Sequence, residues 1–388
     1  MTSRALKPDK IASSEAIRDV NRRIVLNLVR TRQPISRADL ARVSGMQRST
    51  ISLIVGELID EDWVLEGPTG RLPRGRRPTF LHVNENRVII GVDIRPTQTI
   101  IAVANANGVF TSQETMPTPP DPKDAIALLT KRIRAFIQSC EGKKIEGIGI
   151  TLPGRVDHSK GQLVFAPNLK WRDVDLGSPI ARATGLDVEL ENAANACALA
   201  AVWFDGMDAC SNLVVVTVSE GIGTGICVNG ELVRGHNGMA GEFGHVPLDP
   251  KGPACTCGSY GCWEVFASNR AAIRFYHETV KRSDRLTFPD LLRMADQGDA
   301  RAAKALDTMA HYLGRGMRMI VAGLAPERIV VIGDLTRSWQ RFGPVIETEV
   351  RAQVLQGGFP PLLIPAHEDG MARLRGTIAL VLRKHFGG

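Results

Sequence analysis

Long apolar segments are missing from this sequence. No run of apolar residues reaches about 18 positions, which is the length that a membrane-spanning helix requires. The first residues contain no hydrophobic signal segment, and the seven cysteines are an odd number, which disfavours a secreted scaffold of paired disulfides. The sequence therefore predicts a cytoplasmic protein without a membrane partner.

Excess positive charge is missing from most of the chain. Residues 1–90 carry 16 Lys and Arg against 10 Asp and Glu, whereas the other 298 residues carry 32 against 31. A basic head on a nearly neutral body indicates that the head binds a polyanion; a solvated N-terminal arm is the alternative. The length of 388 residues and the hydrophobic content of 44% predict a globular protein of two or three domains, at about 150 residues per domain.

Three helical patterns follow one another within the basic head. The first segment, NRRIVLNLVRT, places four apolar side chains on one helix face: Ile24, Val25, Leu28 and Val29. Ser36 is expected to cap a second helix with Asp39 as its partner, and Gly45 to end it, because glycine tolerates the left-handed conformation of a tight turn. A third helix turns four apolar residues inward: Ile51, Ile54, Val55 and Leu58.

These helices have the spacing of a helix-turn-helix. Ala41, Gly45 and Ile51 occupy its small, turn and core positions. The starts of the second and third helices are then expected to face DNA, through Ser36, Arg37, Gln47, Arg48, Ser49 and Thr50. A three-helix module with another interaction partner is the alternative.

A basic hairpin tip follows the third helix. The segment VLEGPTGRLPRGRRPTFLHV predicts two short strands around a tip that carries Arg71, Arg74, Arg76 and Arg77. Arginines on an extended wing suit a narrow minor groove. Residues 1–86 are therefore predicted to form a winged helix-turn-helix DNA-binding domain.

The pattern changes near residue 87 to that of an α/β body. RVIIGVDI is typical of a buried strand, TIIAVAN of its antiparallel partner, and further strands end in glycine-rich turns, with helical segments between them. This alternation predicts two lobes with a cleft between them. The turn with Gly221, Gly223 and Gly225 is able to cradle a phosphate through backbone N–H groups; tight turning of a β-hairpin is the alternative.

A polar turn, ENAAN, lies between the strand-like LDVEL and the alanine-rich helical run ACALAAVWF. Glu191, Asn192 and Asn195 therefore crowd the tip of a strand-to-helix turn, where open α/β sheets bind ligands. No ionisable group follows Asn192. The residues alone leave open whether this tip performs chemistry or only holds a ligand.

The segment GEFGHVPLDPKGPACTCGSYGCWE has the spacing of a metal site. Its candidate ligands are His245, Cys255, Cys257 and Cys262, which match a tetrahedral site for Zn²⁺. Four protein ligands leave no open position, so the zinc is expected to be structural; unligated loop thiols are the alternative. The remaining thiols lie in apolar runs and are expected to be small core residues: Cys140, Cys197, Cys210 and Cys227.

These motifs together resemble the ROK family (repressors, open reading frames and sugar kinases), in its repressor branch. The similar segments are GVDI, ITLPGRV, ENAAN, EGIGTGI, GHNGMAGEFGH and CTCGSYGCWE. The resemblance implies that residues 87–388 form a two-lobed domain like that of sugar kinases and actin. Its smaller lobe would span about 87–200 with a C-terminal helix at 370–388, and its larger lobe about 201–369 with the zinc loop at 245–262.

The same resemblance implies that the kinase reaction is lost. Ala193 stands where ROK kinases carry the general-base aspartate, and an alanine cannot accept the sugar proton, a transfer typically worth about 10²–10⁴ in rate. Arg95 and Pro96 replace the two glycines of the family's Asp-Ile-Gly-Gly-Thr phosphate loop. Proline also lacks the backbone N–H that would bind a phosphate. The chain is therefore not expected to be an enzyme.

The family's sugar-binding positions are better preserved. They correspond to Asn192, Glu242, His245 and Glu264; ordinary salt bridges are the alternative for the two glutamates. We expect a sugar-responsive repressor of carbohydrate genes, which binds operator DNA as a homodimer or homotetramer and is released by a sugar or a sugar phosphate. An active sugar kinase with a DNA-binding head and a regulator controlled by a protein partner are the alternatives.

Overall fold

The computed structural model describes most of the chain. The described ranges are 14–69, 79–158, 160–207, 210–280, 285–352, 358–366 and 371–386. The four predicted wing arginines, Arg71, Arg74, Arg76 and Arg77, lie outside them. Within these ranges, every helix is too short or too polar to cross a bilayer.

The N-terminal head has the predicted order of three helices and two hairpin strands, with one further two-residue strand, β1, that was not predicted. Its described elements are α1 (Ser14–Arg32), β1 (Ile35–Ser36), α2 (Arg37–Ser44), α3 (Arg48–Asp60), β2 (Val64–Thr69) and β3 (Thr79–Val83). The Ser36 hydroxyl accepts the backbone N–H of Asp39 at 3.2 Å and caps α2, and Gly45 ends α2 at a φ of 72°. Strands β2 and β3 are antiparallel, which confirms both arms of the predicted hairpin.

The core of the head agrees with the predicted apolar face of α3 and differs on α1. The four inward residues predicted for α3 are at most 2% exposed. On α1, Ile24 is 41% exposed, whereas Leu26 is fully buried beside Val25 and Val29. Side chains two residues apart on a helix point about 200° apart around its axis. A helix that buries Leu26 therefore directs Ile24 outward. The prediction that Ile24 faces inward was therefore wrong.

The first part of the body is built on a five-stranded mixed sheet. Its elements are β4 (Arg87–Ile94), β5 (Gln98–Asn105), β6 (Phe110–Pro117), α4 (Pro122–Ser139), β7 (Lys144–Leu152), β8 (Arg155–Asp157), β9 (Gln162–Ala166), β10 (Trp171–Asp175), α5 (Gly177–Thr184), β11 (Val188–Asn192) and α6 (Ala193–Phe204). The sheet order is β11-β7-β4-β5-β6, with β4 and β5 antiparallel as predicted. Strands β8 to β10 form a separate small antiparallel sheet.

The second part of the body contains another five-stranded sheet. Its elements are β12 (Asn212–Val218), β13 (Ile222–Val228), β14 (Glu231–Leu232), α7 (Glu264–Ala267), α8 (Asn269–Val280), α9 (Phe288–Asp296), α10 (Ala300–Leu324), β15 (Arg328–Ile332), α11 (Trp339–Arg351), β16 (Leu362–Pro365) and α12 (Ala372–Phe386). The sheet order is β14-β13-β12-β15-β16. Helix α12 returns to the first sheet and packs against β4, β7 and α6.

Glycines allow α12 to approach its neighbours closely. A Cβ atom at Gly376 would lie 2.0 Å from the carbonyl oxygen of Ala196 on α6, and one at Gly149 would lie 2.3 Å from that of Thr377. Contacts this short exclude any side chain at either position. Helix α12 is therefore tightly packed between the first sheet and α6.

One hydrophobic cluster joins the head to the body. It contains apolar residues of α1, α2 and α3 together with residues of α6 and α12. Trp63 of the head packs edge-to-face on Phe386 of α12, with ring centroids 5.4 Å apart. The guanidinium of Arg30 lies 4.7 Å from the Trp203 ring centroid and donates to the Trp203 carbonyl at 2.8 Å. The head is thus docked on the end of α12.

Candidate ligand-binding cleft and metal centre

A cavity of about 610 Å³ lies between the two parts of the body. Its walls include the ENAAN turn, the glycine-rich hairpin between β12 and β13, and the segment around the predicted metal ligands. All four residues predicted for sugar binding line it: Asn192, Glu242, His245 and Glu264. Segments that are far apart in the sequence therefore meet in one cleft.

Asn192 holds the ENAAN turn together. Its side-chain oxygen accepts the backbone N–H of Ala194 at 2.8 Å and so caps α6. Its side-chain amide donates to the carbonyl of Gly154 at 2.7 Å. Asn192 is half-buried, and these two bonds fix its orientation at the cleft wall.

Glu191 lies behind this turn as a fully buried carboxylate. One oxygen accepts the side-chain amide of Asn195 at 3.0 Å, and the other forms an ion pair with Arg234 at 2.8 Å. The Nε2 atom of His158 lies 3.3 Å from the same carboxylate oxygen that accepts from Asn195. Burial opposes the charge, but the hydrogen bond from His158 and the charge of Arg234 outweigh it and lower the pKa of Glu191. Arg234 and His158 come from separate segments, and no local sequence pattern indicated them.

His245 lies between the two glutamates of the cleft. Its Nε2 atom is 3.8 Å from a carboxylate oxygen of Glu242, and its Nδ1 atom is 3.7 Å from one of Glu264. Burial raises the pKa of Glu242, and the charges of His245 and Arg155 partly oppose that rise. Among the described residues neither glutamate pairs with Lys or Arg, so ordinary salt bridges do not account for their positions.

The predicted metal ligands form a compact cluster. The ligand atoms of His245, Cys255, Cys257 and Cys262 all lie within 4.8 Å of one another. The sulfurs of Cys257 and Cys262 are 3.7 Å apart, and the Cys255 sulfur is 3.6 Å from Nδ1 of His245. Zn–S bonds of about 2.3 Å and Zn–N bonds of about 2.0–2.1 Å in a tetrahedron imply edges of about 3.8 and 3.6 Å. The residues therefore fit a tetrahedral metal ion.

Glycines shape the loop that carries these thiols. Gly261 has a φ of 61°, and a Cβ there would lie 1.5 Å from the carbonyl oxygen of Asp249. Only glycine fits this close approach, which places Cys262 beside the other ligands. The thiols predicted to be core residues, Cys140, Cys197, Cys210 and Cys227, are all buried, as expected.

Another part of the cleft wall contains an ion-pair cluster around a buried carboxylate. Asp93 is fully buried, and its carboxylate pairs with Arg95 at 2.7 Å and with Arg373 of α12 at 2.8 Å. Arg373 was missed at the sequence level because it lies about 280 residues from Asp93.

The predicted glycine-rich turn also lines the cleft. Gly221 lies at the β12–β13 hairpin, where its carbonyl accepts the backbone N–H of Ser219 at 3.0 Å.

The predicted DNA-facing residues differ in exposure. Gln47, Arg48 and Ser49 are exposed at the start of α3, whereas Thr50 is half-buried. Arg37 is half-buried and pairs with Glu66 at 2.6 Å. The Ser36 hydroxyl is buried against Asp39 as the α2 cap and is already hydrogen-bonded there. The DNA contact expected from its side chain has no test in the structure and stays a prediction.

Known proteins share both the sequence motifs and the architecture of this chain. The chain is 32% identical over 393 residues to the xylose repressor of Bacillus subtilis (strain 168), covering 97% of this chain and 98% of the relative. A crystal structure of a ROK family transcriptional regulator, a homolog of the E. coli MLC protein, superposes with a TM-score of 0.82 at 27% identity, covering 95% of this chain and 98% of that one. A ROK family glucokinase from Streptomyces griseus, in complex with glucose and AMPPNP, has a TM-score of 0.68 at 29% identity and covers 76% and 98%. The ROK family model matches residues 89–384, and this chain belongs to the ROK family.

Proposed function

We propose that this protein is a sugar-responsive transcriptional repressor of carbohydrate genes. Its winged helix-turn-helix head binds operator DNA, and a sugar in the cleft releases it. The similarity to repressors along nearly the whole chain supports this proposal. Each helix-turn-helix head contacts one half-site of an operator with two half-sites, so the repressor is proposed to act as a homodimer or homotetramer.

The position of α12, which reaches from the cleft to the head, is the structural observation that supports this proposal most directly. Arg373, its second residue, lines the cleft and pairs with Asp93, whereas Phe386, its last residue, packs on Trp63 of the head. At about 1.5 Å per residue, these two positions are about 20 Å apart on one continuous helix. A ligand that shifts the start of α12 therefore also shifts the surface on which the head is docked.

The cleft is proposed to bind without catalysing. Ala193 has no group that can accept a proton from a sugar hydroxyl, and Pro96 offers no backbone N–H to a phosphate. Asp93 is neutralised by two guanidinium groups, those of Arg95 and Arg373. A coupled ATPase assay with a panel of hexoses tests the alternative of an active kinase; turnover above background by the wild type would contradict this part of the proposal.

The His/Cys₃ cluster is proposed to hold one structural zinc ion. His245 would bind it through Nδ1, the atom that faces Cys255, and would leave Nε2 directed towards Glu242. The metal supplies a fixed anchor for the loop. His245, Glu242 and Glu264 are then able to present a preorganised set of hydrogen-bonding groups to sugar hydroxyls.

Replacing Arg48 by alanine is expected to relax the sequence preference of operator binding. Arg48 is exposed at the start of α3, where a recognition helix reads base edges, and one lost base contact costs about 1–3 kcal/mol. The measurement is binding to the DNA selected by wild type from a random pool and to single-base variants of it. Arg301→Ala, on α10 and 59% exposed, is the control. Equal discrimination by Arg48→Ala and wild type would remove Arg48 from the interface.

Replacing Asn192 by alanine is expected to raise the sugar concentration for half-release of operator at least tenfold. A buried ligand hydroxyl left without its partner costs about 1–3 kcal/mol, and about 1.4 kcal/mol is a factor of ten. Sugar titration of operator-bound protein measures the midpoint, and operator binding without sugar should not change.

The Asn192→Asp variant separates two roles of this residue. Aspartate caps a helix as well as asparagine does, but it lacks the amide that donates to Gly154. If Asn192→Ala and Asn192→Asp both need more sugar to release operator, the loss is due to the missing amide group. An unchanged midpoint in Asn192→Ala would show that this turn is not the sensor. If sugars fail but cell extract releases the operator, the protein-partner alternative is favoured instead.

A further inference from the structure

Three side chains form a row across the small sheet that lines the cleft. Phe165 on β9 pairs in register with Arg155 on β8 and with Arg172 on β10. Directly paired residues on neighbouring strands project from the same face, and strands lie about 4.8 Å apart. All three residues line the cleft. An aromatic ring with a guanidinium on each side therefore forms part of the cleft wall.

These two guanidinium groups are available for a ligand. Arg172 lies over the Phe165 ring at 4.5 Å from its centroid, and Arg155 donates to the thioether sulfur of Met239 at 3.0 Å. Neither forms a salt bridge with any carboxylate in the described ranges. By contrast, Arg95 and Arg373, which also line the cleft, share the carboxylate of Asp93.

The charge around the cleft favours an anion. Among the described residues, six arginines line the cavity, against three carboxylates. The buried Asp93 offsets part of this excess at Arg95 and Arg373, and the positive charge that remains attracts ligands of the opposite sign. The planar guanidinium fork matches carboxylate and phosphate oxygens in two parallel hydrogen bonds. A neutral sugar would leave Arg172 without a charged partner, and Arg155 with only the more distant charge of Glu242.

We infer that the ligand of this cleft is a monosaccharide that carries an oxyanion, a carboxylate or a phosphate, bound by Arg155 and Arg172. Glu242, His245 and Glu264 bind its hydroxyl groups. The Phe165 ring holds Arg172 in place through their stacking. This inference rests on the proposed function and specifies the chemical class of the effector.

The inference is tested by calorimetric titration of the full-length protein with two matched sets of sugars. The anionic set contains glucuronate, galacturonate and glucose 6-phosphate, and the neutral set contains glucose, galactose and xylose. At least one anionic sugar is expected to bind at least tenfold more tightly than its neutral parent, and to release operator at a correspondingly lower concentration. A response to glucuronate or galacturonate alone identifies a carboxylate, and a response to glucose 6-phosphate alone identifies a phosphate.

The Arg172→Gln variant localises the anion. It is expected to weaken binding of the anionic sugar at least tenfold, equivalent to about 1.4 kcal/mol, with little change for neutral sugars and for operator. Arg301→Gln, an exposed arginine outside the cleft, controls for net charge and should behave as wild type. An equal loss for both sugar sets in Arg172→Gln would overturn the assignment to this row.

The two proposals fail in different ways. If neutral sugars bind and release operator at least as well as the anionic ones, the inference of an anionic ligand is wrong and the proposed function stands. If no sugar of either set binds or alters operator binding, both are contradicted. Preserved thermal unfolding of Arg172→Gln distinguishes a lost contact from a misfolded variant.

Discussion

Replacing Cys257 by serine is expected to remove the metal and most of the sugar response. Purified wild type should contain about one zinc per chain, and the variant should contain almost none, because three ligands bind the ion far less tightly than four. Without the ion, His245 and the loop next to Glu264 lose their common anchor. The midpoint of the sugar titration should rise at least tenfold, while the variant still binds operator in the absence of sugar.

The control for this experiment is another thiol. Cys140 is buried at the end of α4, outside the cluster, so Cys140→Ser should retain zinc and sugar response. Metal analysis, operator binding and sugar titration are measured on the same preparations. A wild type that is free of metal and responds fully to sugar would defeat the zinc assignment.

Replacing Glu191 by glutamine is expected to destabilise the protein by up to about 3–5 kcal/mol, the cost of removing one partner of a fully buried ion pair; Arg234 is 21% exposed, so water offsets part of this cost. The change leaves the charge of Arg234 facing a neutral amide where a fully buried carboxylate stood. Glu191 also accepts the backbone N–H of Asn192 at 2.9 Å, so the ENAAN turn should loosen as well. Chemical denaturation measures the loss of stability, and sugar titration below the unfolding range measures the effect on the cleft.

The stability difference between wild type and Glu191→Gln should depend on pH. Because the folded-state pKa of Glu191 lies below its ordinary value of 4.5, the stabilisation is fully present above pH 4.5. It is lost as the pH falls through the lowered folded value. The two proteins should therefore converge in acid, and a constant difference down to pH 3 would contradict a charged Glu191.

Glu189 supplies the matched control on the same strand. It pairs with Lys384 at 2.6 Å on the surface, and its side chain is 31% exposed. Exposed ion pairs contribute about 0–1 kcal/mol. Glu189→Gln should therefore unfold almost as wild type does. A similar loss in both variants would show that burial of Glu191 is not the cause.

The sequence by itself determined the features that depend on neighbouring residues. Ser36 and Gly45 mark the ends of α2 because capping and left-handed turns are decided within three or four residues. The metal ligands were identified because they lie within an eighteen-residue segment. The resemblance to the ROK family also named Asn192, Glu242, His245 and Glu264, and the structure brings them into one cleft.

Only the tertiary structure decided which distant residues meet. Arg234 lies 43 residues from Glu191, and Arg373 lies about 280 residues from Asp93, yet each arginine pairs with a fully buried carboxylate. The link from the cleft to Trp63 likewise depends on α12 returning to the first sheet. The inward face of α1 depended on the same packing, which buried Leu26 and left Ile24 exposed. Periodicity and capping act along one segment, whereas these contacts follow from how separate sheets and helices pack against each other.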